Sequence, residues 1–300
     1  MNTMIKPYYL ILLAFTISWA SCDNGNDDTE TENPFSECVV SFEQDEKLEI
    51  ATFNLEQFPK ENNSVMHTAN LIEHLNADLI ALQEVTNEGA LKQLADQMDG
   101  WEYVISPEPS QSMAPAYLIN MNKIALIEEA DTIWFNETKN DDYYFPRAPF
   151  VIKVIHRRSN QEFLLINLHL KAMEDSEFVG RRRVASNMLK DYLDAHYSDE
   201  FVIVLGDFND ELVEENTIDE VFSNFTNDTV NYRFADMSIA TGSKEYWSYP
   251  GYPSHIDHIL ITDEWFKYLD TTMTIRPDAC FDDYENYISD HCPVVVVFDL

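Results

Sequence analysis

Hydrophobic and polar positions alternate in short runs along most of the chain, and segments of helical spacing separate the runs. "KLEIATFNL" (47–55) alternates as a strand with one buried face does. "SVMHTANLIEHLN" (64–76) places Val65, Ala69, Ile72 and Leu75 at helical spacing. "ADLIALQEV" (77–85) reads as a short apolar strand, and "NEGALKQLADQMDG" (87–100) as a helix closed by Gly100. Strand-like runs follow at 115–120, 123–135, 149–156 and 162–170. Residues 177–195 predict a long helix with Phe178, Ala185, Met188, Leu189 and Tyr192 inward. Strands return at 201–205, 256–261 and 293–299. "FVIVL" (201–205) is apolar throughout, which suits a strand covered on both faces. Many strands and few long helices predict two packed sheets with helices outside.

The first residues break this pattern. Lys6 precedes a stretch, Tyr8 to Trp19, that is apolar apart from Thr16 and Ser18. Its length is short for a bilayer span, so residues 1–21 read as a signal peptide. Small residues Ala20 and Ser21 precede Cys22, which resembles a bacterial lipoprotein cleavage site and implies lipidation of Cys22. An ordinary secretory leader cut nearby, or an uncleaved anchor, are the alternatives. "DNGNDDTETENP" follows, with five acids and no base, and predicts a disordered tether. An acidic stretch there also resembles the export signal of surface lipoproteins. Residues 22–46 thus read as lipidated cysteine, tether and N-terminal arm, and 47–300 as one domain. The expected location is the bacterial cell envelope, lipid-anchored, with the outer-membrane surface as one option. The membrane is the one partner the leader implies, and no protein partner is inferred.

The formal charge of −35 argues against non-specific binding to a polyanion. It leaves room for an anionic substrate held by a metal and a few local bases. Cys292, beside "PVVVVF", reads as a small core residue. Cys38 and Cys280 remain as a pair that an oxidising compartment would allow to bond, and spacing alone leaves this open.

Polar residues recur where apolar runs end. "GDFND" (206–210) follows "FVIVL" and, taken alone, reads as a polar turn. Gly206 would let the backbone turn where a side chain clashes. Other run ends repeat the theme with Asn54, with Gln83 and Glu84, with Asp257, and with Asp290 and His291. Asn167 and His169 alternate, so both face one side of a strand. Carboxylate and amide oxygens with imidazoles suit Mg²⁺ or Mn²⁺, with Ca²⁺ as a further option, better than zinc.

The ordered set "FNLEQF", "LQEV", "FPRAPF", "NLHLKA", "GDFND", "IDHIL" and "SDHCPV" resembles the endonuclease/exonuclease/phosphatase superfamily, with its deoxyribonuclease-I-like fold. The resemblance covers residues 48 to 300. It implies an α+β, four-layer αββα sandwich: two packed, mainly antiparallel sheets flanked by helices, with the site at one rim. It implies metal-dependent hydrolysis of phosphoester bonds. Glu84 matches an acidic metal ligand, with Asn54 beside it and Asp290 as a second ligand or tuning acid. Asp207 and Asn209 match the pair that orients the attacking water, Asp207 being the base. His291 matches the active-site histidine, oriented by Asp257, and His169 the further histidine of nuclease-like members. Arg147 matches an arginine that contacts phosphate. Lys171 and one of Arg181, Arg182 and Arg183 are expected near the site; the plainer reading sets one of these cations against Glu174, Asp175 and Glu177. His255 and His258 flank Asp257 on the opposite strand face and receive no role. Trp247 and Tyr249 would stack on a base or sugar, or pack; packing is the preferred reading.

The resulting expectation is a phosphodiesterase or nuclease, nucleic acid being the first substrate guess. A phosphomonoesterase or lipid-headgroup phosphodiesterase of the same fold is the alternative. A non-catalytic binding lipoprotein would lack a ligand or histidine, and a structural lipoprotein would leave these residues scattered.

Overall fold

The computed structural model describes residues 33–42, 47–107, 113–128, 130–133, 135, 141–213 and 221–300. Residues 1–32, with Cys22 and the acidic stretch before Asn33, lie outside the described residues. Among the described residues thirteen strands run in chain order: β1 (Lys47–Phe58), β2 (Leu79–Val85), β3 (Trp101–Ile105), β4 (Ala114–Asn120), β5 (Ile124–Leu126), β6 (Asp131–Thr132) and β7 (Phe150–His156). They continue as β8 (Gln161–His169), β9 (Val202–Asp207), β10 (Tyr232–Phe234), β11 (Asp257–Thr262), β12 (Leu269–Thr274) and β13 (Val294–Asp299). The helices are α1 (Ser64–Leu75), α2 (Glu88–Gln97), α3 (Ser176–His196) and the short α4 (Ser223–Thr226), α5 (Met237–Ala240) and α6 (Tyr284–Tyr287).

One sheet has the order β12-β13-β1-β2-β4-β3, the other β10-β11-β9-β8-β7-β5, with β6 beside β7. Among the described residues only β1–β2 and β8–β9 pair in parallel, joined through α1 and α3; every other pairing there is antiparallel. Strand alternation sorts the apolar residues into three layers of core. Leu48, Ile50, Leu165, Ile203, Leu205, Ile259 and Val296 fill the space between the sheets. Their neighbours in sequence, Ala51, Phe53 and Val295, face α1 and α2, while Ile166, Val204 and Leu260 face α3. Three apolar layers between four layers of elements make the αββα sandwich that the family resemblance implies, with the two packed sheets and outer helices that the sequence pattern predicts.

Some expectations change. The run 123–135 is not one strand but β5 and β6, interrupted where Glu128 turns outward, its carboxylate 3.4 Å from Lys153. Strands β3, β10 and β12 have no sequence prediction; all three lie at sheet edges, where the pattern is weakest. In α3, Ala185 and Leu189 are buried, but Phe178, Met188 and Tyr192 are only half-buried, and Arg182, Ser186 and Leu193 share the buried face. Cys292 is a buried free thiol, as the sequence predicts. Cys38 and Cys280 are bonded, with Cα atoms 5.8 Å apart. The bond ties the arm to the turn before α6, and Phe35 and Val39 of the arm enter the outer core of the first sheet.

Gly206 sits inside β9 and not in a turn. It has φ +147°, and a Cβ there would lie 2.0 Å from the Leu168 carbonyl oxygen of the parallel neighbour β8. Gly206→Ala is therefore expected to cost at least about 3 kcal/mol. A urea unfolding midpoint equal to that of the unaltered protein would contradict this reading.

Candidate active site

The site begins where the inter-sheet core turns polar. Residues 48 and 50 of β1 point between the sheets, and the same face continues to Thr52 and Asn54. By the same alternation β2 delivers Gln83, β8 delivers Asn167 and His169, β9 delivers Asp207 and β11 delivers Asp257. Register brings them level: His169 pairs with Asp207, and Asp207 with Asp257. Polar groups at such depth need partners. Gln83 donates to the Asn167 carbonyl oxygen across the sheets (2.8 Å), and Asn167 donates to the Leu82 and Ala116 carbonyls (2.9 and 3.0 Å). This amide bridge is the fixed floor of the site.

Local backbone then departs from regular strand. The β1–β2 register breaks between Asn54 and Phe58, and Glu56, Gln57 and Glu84 all have positive φ. The bulge lifts Glu84 out of the alternation and lets its carboxylate accept from the Gln57 N–H (3.1 Å) and the Asn54 amide (3.4 Å). Asn54 also donates to Asp207 (3.0 Å). The Asp207 carboxylate accepts from the Asn209 N–H (2.9 Å) with Asn209 at φ +54°, so "GDFND" is both a polar turn and part of the site.

His291 is placed from the opposite side. Ser289 donates its hydroxyl to the Asn54 carbonyl (2.6 Å) and accepts from the His291 N–H (2.9 Å). Sequence reasoning gave Ser289 no role; its place in "SDH" was the available signal. His291 Nδ1 lies 2.8 Å from Asp257 Oδ2, as the sequence pairing predicts. Burial alone would lower the His291 pKa, but the carboxylates of Asp257, Asp207 and Asp290 raise it to about 10. Burial and the charge of Asp257 push Asp207 up to about 7. Burial, then the charges of Arg147, His291 and Lys171, hold the His169 pKa well below its usual value. His169 Nε2 stands 3.6 Å from Asp207 and 3.7 Å from Glu84.

The structure thus brings together Asn54, Glu84, His169, Asp207, Asn209, Asp257 and His291, with Asp290 3.8 Å from His291 Nε2. Arg147 and Lys171 stand one step back. Arg147 is half-buried beside Met113, and Lys171 has its ammonium 4.5 Å above the Phe178 ring; both bear on His169 electrostatically. Of the three arginines, Arg182 reaches the cleft wall, and Arg181 stacks on Tyr143. Trp247 packs in the core, as preferred from sequence, but Tyr249 lies against the His291 ring (centroids 4.8 Å) and lines the cleft. The cleft holds about 910 Å³.

A hard divalent cation fits this donor set. Asp257 and Asp290 each keep one buried carboxylate oxygen without a hydrogen-bond partner, and Asp207, Asp257 and His291 offer atoms within 4.8 Å of one another. Because His291 Nδ1 is already paired with Asp257, the carboxylate and amide oxygens of Glu84, Asn54 and Asp290 are the better ligands. A raised Asp207 means that a proton competes with the cation. In the metal-free protein this group's share of stability is present at low pH and lost as pH rises through about 7, and bound metal restores it. The rise in unfolding temperature given by Mn²⁺ should therefore grow between about pH 5.5 and about pH 8. An equal rise at both pH values would contradict the assignment.

Comparison with known proteins agrees with the fold. No curated protein matches the chain in sequence. Among solved structures, D. rerio TDP2 complexed with single strand DNA product aligns with TM-score 0.64 at 14% identity, covering 85% of this chain and 99% of that one. A mannosyl-6-phosphatase of Bacteroides thetaiotaomicron aligns with TM-score 0.60 at 17% identity, covering 83% and 98%. The human Nocturnin catalytic domain with bound sulfate aligns with TM-score 0.61 at 18% identity, covering 86% and 95%. At these identities the likeness concerns the fold. The model of the Endonuclease/Exonuclease/phosphatase family matches residues 51–291, from β1 through His291. The chain belongs to that family and is a divalent-metal-dependent phosphoester hydrolase.

Proposed function

We propose that the protein hydrolyses a compact phosphoester whose leaving group is neutral or cationic, a class that includes sugar phosphates and zwitterionic lipid headgroups. The observation that carries this reading is the charge of the cleft. Glu174, Asp175 and Glu211 line it with Tyr249 and Tyr252, and Arg182, the one arginine lining it among the described residues, is bonded to Asp210 and two backbone carbonyls. A nucleic-acid strand would bring further phosphates against those carboxylates, which is unfavourable. Asp207 takes the proton of the attacking water, with Asn209 beside it to orient that water. His291, held as imidazolium by Asp257, donates to the phosphate oxygen on which charge develops. A bound Mg²⁺ or Mn²⁺ would add positive charge against the phosphate.

Nucleic acid is the second reading, favoured by His169 and Arg147 beside Glu84 and Asp207. The leader supports placement on the cell envelope by a lipid on Cys22, with residues 47–300 as the catalytic domain. A hydrolysis screen with Mg²⁺, Mn²⁺ and EDTA tests the substrate: sugar phosphates, sphingomyelin, bis-p-nitrophenyl phosphate, plasmid DNA and RNA. Turnover of DNA or RNA above all small esters would replace the first reading by the second. Fatty-acid labelling that persists in Cys22→Ser would remove the anchor.

A further inference from the structure

A second cluster of ionisable groups lies outside the reacting residues. Asp236, His255 and His258 are all fully buried, and their donor atoms lie within 4.8 Å of one another. Two readings compete: a buried metal site, or a hydrogen-bonded brace. The proton positions decide between them. His255 Nδ1 accepts from the Ser248 N–H (3.3 Å), so its proton is on Nε2, which donates to Asp236 (3.0 Å). His258 faces an acceptor at each nitrogen: Asp236 Oδ2 at Nδ1 (2.6 Å) and the Asp210 carbonyl at Nε2 (2.9 Å). Both nitrogens therefore carry hydrogen, and His258 is an imidazolium. Asp236 completes its set by accepting from the Ile259 N–H (2.9 Å). No imidazole lone pair is left for a cation, which would have to displace two N–H protons to gain a nitrogen ligand.

The brace leads to the cleft. His258 anchors the main chain of Asp210, one residue past Asn209. The Asp210 carboxylate accepts from Arg182 Nε (2.9 Å), and Arg182 Nη1 donates to the carbonyls of Lys171 and Met173 (both 2.7 Å). Met173 has φ +88°, a conformation that needs such support. One chain of contacts, buried at His258 and Arg182, thus joins the turn carrying Asp207 and Asn209 to the segment after His169.

We propose that His258 is a positioning residue that, through Asp210 and Arg182, holds these two cleft segments in place for metal and substrate. The proposal rests on the family's metal dependence and not on the identity of the substrate.

Two near-isosteric variants separate it from simple core packing. His258→Gln keeps an N–H near the Nε2 position and so the bond to the Asp210 carbonyl. His258→Asn keeps an N–H near Nδ1 and so the bond to Asp236, but loses Asp210. In the metal-free protein, amide exchange in peptides covering 206–213 and 170–175 should rise in His258→Asn and stay near the original in His258→Gln. Calorimetric Mn²⁺ affinity should fall about tenfold in the first and within about twofold in the second. Equal behaviour of the two variants, or the reverse order, overturns the proposal. So does one equivalent of chelator-resistant metal that His258→Asn removes. If either variant fails to fold, Asp210→Asn replaces the pair. It keeps the carbonyl and weakens the Arg182 link, and should raise exchange in 170–175; unchanged exchange there overturns the proposal as well.

Discussion

His291→Ala is expected to lower kcat by about two to four orders of magnitude on whichever phosphoester the protein turns over. In the proposed mechanism the side chain supplies a proton at Nε2 and Asp257 keeps it there: the pKa near 10 means that the imidazolium persists through neutral pH. Added Mg²⁺ should not rescue the variant, because what is missing is a hydrogen-bond donor and not a ligand. Asp257 acts through His291, so Asp257→Asn/His291→Ala should turn over no more slowly than His291→Ala alone. A second consequence follows from burial. His291→Ala leaves the Asp257 carboxylate 1% exposed without its imidazolium, which costs stability. The double variant removes that charge and should unfold at a higher temperature than His291→Ala. Multiplying losses of kcat in the double variant, or a lower unfolding temperature, would show that the 2.8 Å pairing is not the functional one.

Much of this was legible because strand alternation is strict. Ile203, Leu205 and Asp207 share one face, so the apolar pattern that predicts β9 also predicts where its acid points. The same holds for Asn167 and His169. Glu84 was legible from its place at a run end and by family resemblance, not by alternation: alternation sends Gln83 inward, and a bulge with φ +62° is what returns Glu84 to the site. Edge strands β3, β10 and β12 escaped because each is paired on one side and half-exposed or very short. Lys171 and Arg147 illustrate a different limit. Sequence places a cation at the right height on a strand or loop, but a long side chain chooses its own direction, here toward Phe178 and Met113. His258 was set aside because it faces away from Asp257. That direction is real, and it is what brings the imidazole to Asp236 and the Asp210 carbonyl.

Asp207→Asn and Glu84→Gln should fail in different ways, although each removes one negative charge from the same rim. Asp207 lies 2% exposed, fixed by Asn54 and the Asn209 N–H, with its pKa raised toward neutrality. A carboxyl so tuned exchanges protons with water at working pH, which an amide cannot do. Asp207→Asn is therefore expected to lose about two to four orders of magnitude in kcat at saturating metal. Removing a buried carboxylate that repels Asp257 also relieves strain, so the metal-free variant should be at least as stable as the original. Glu84 is half-buried and accepts only from Asn54 and the Gln57 N–H among these groups. Glu84→Gln keeps the shape and one oxygen and loses ligand charge. Its kcat should recover to within about tenfold of the original as Mg²⁺ or Mn²⁺ is raised, with the half-saturating concentration shifted up by about one to two orders of magnitude. Metal titrations of both variants decide the matter. Recovery of Asp207→Asn by metal, together with an unrescued Glu84→Gln, would exchange their roles and make Glu84 the base.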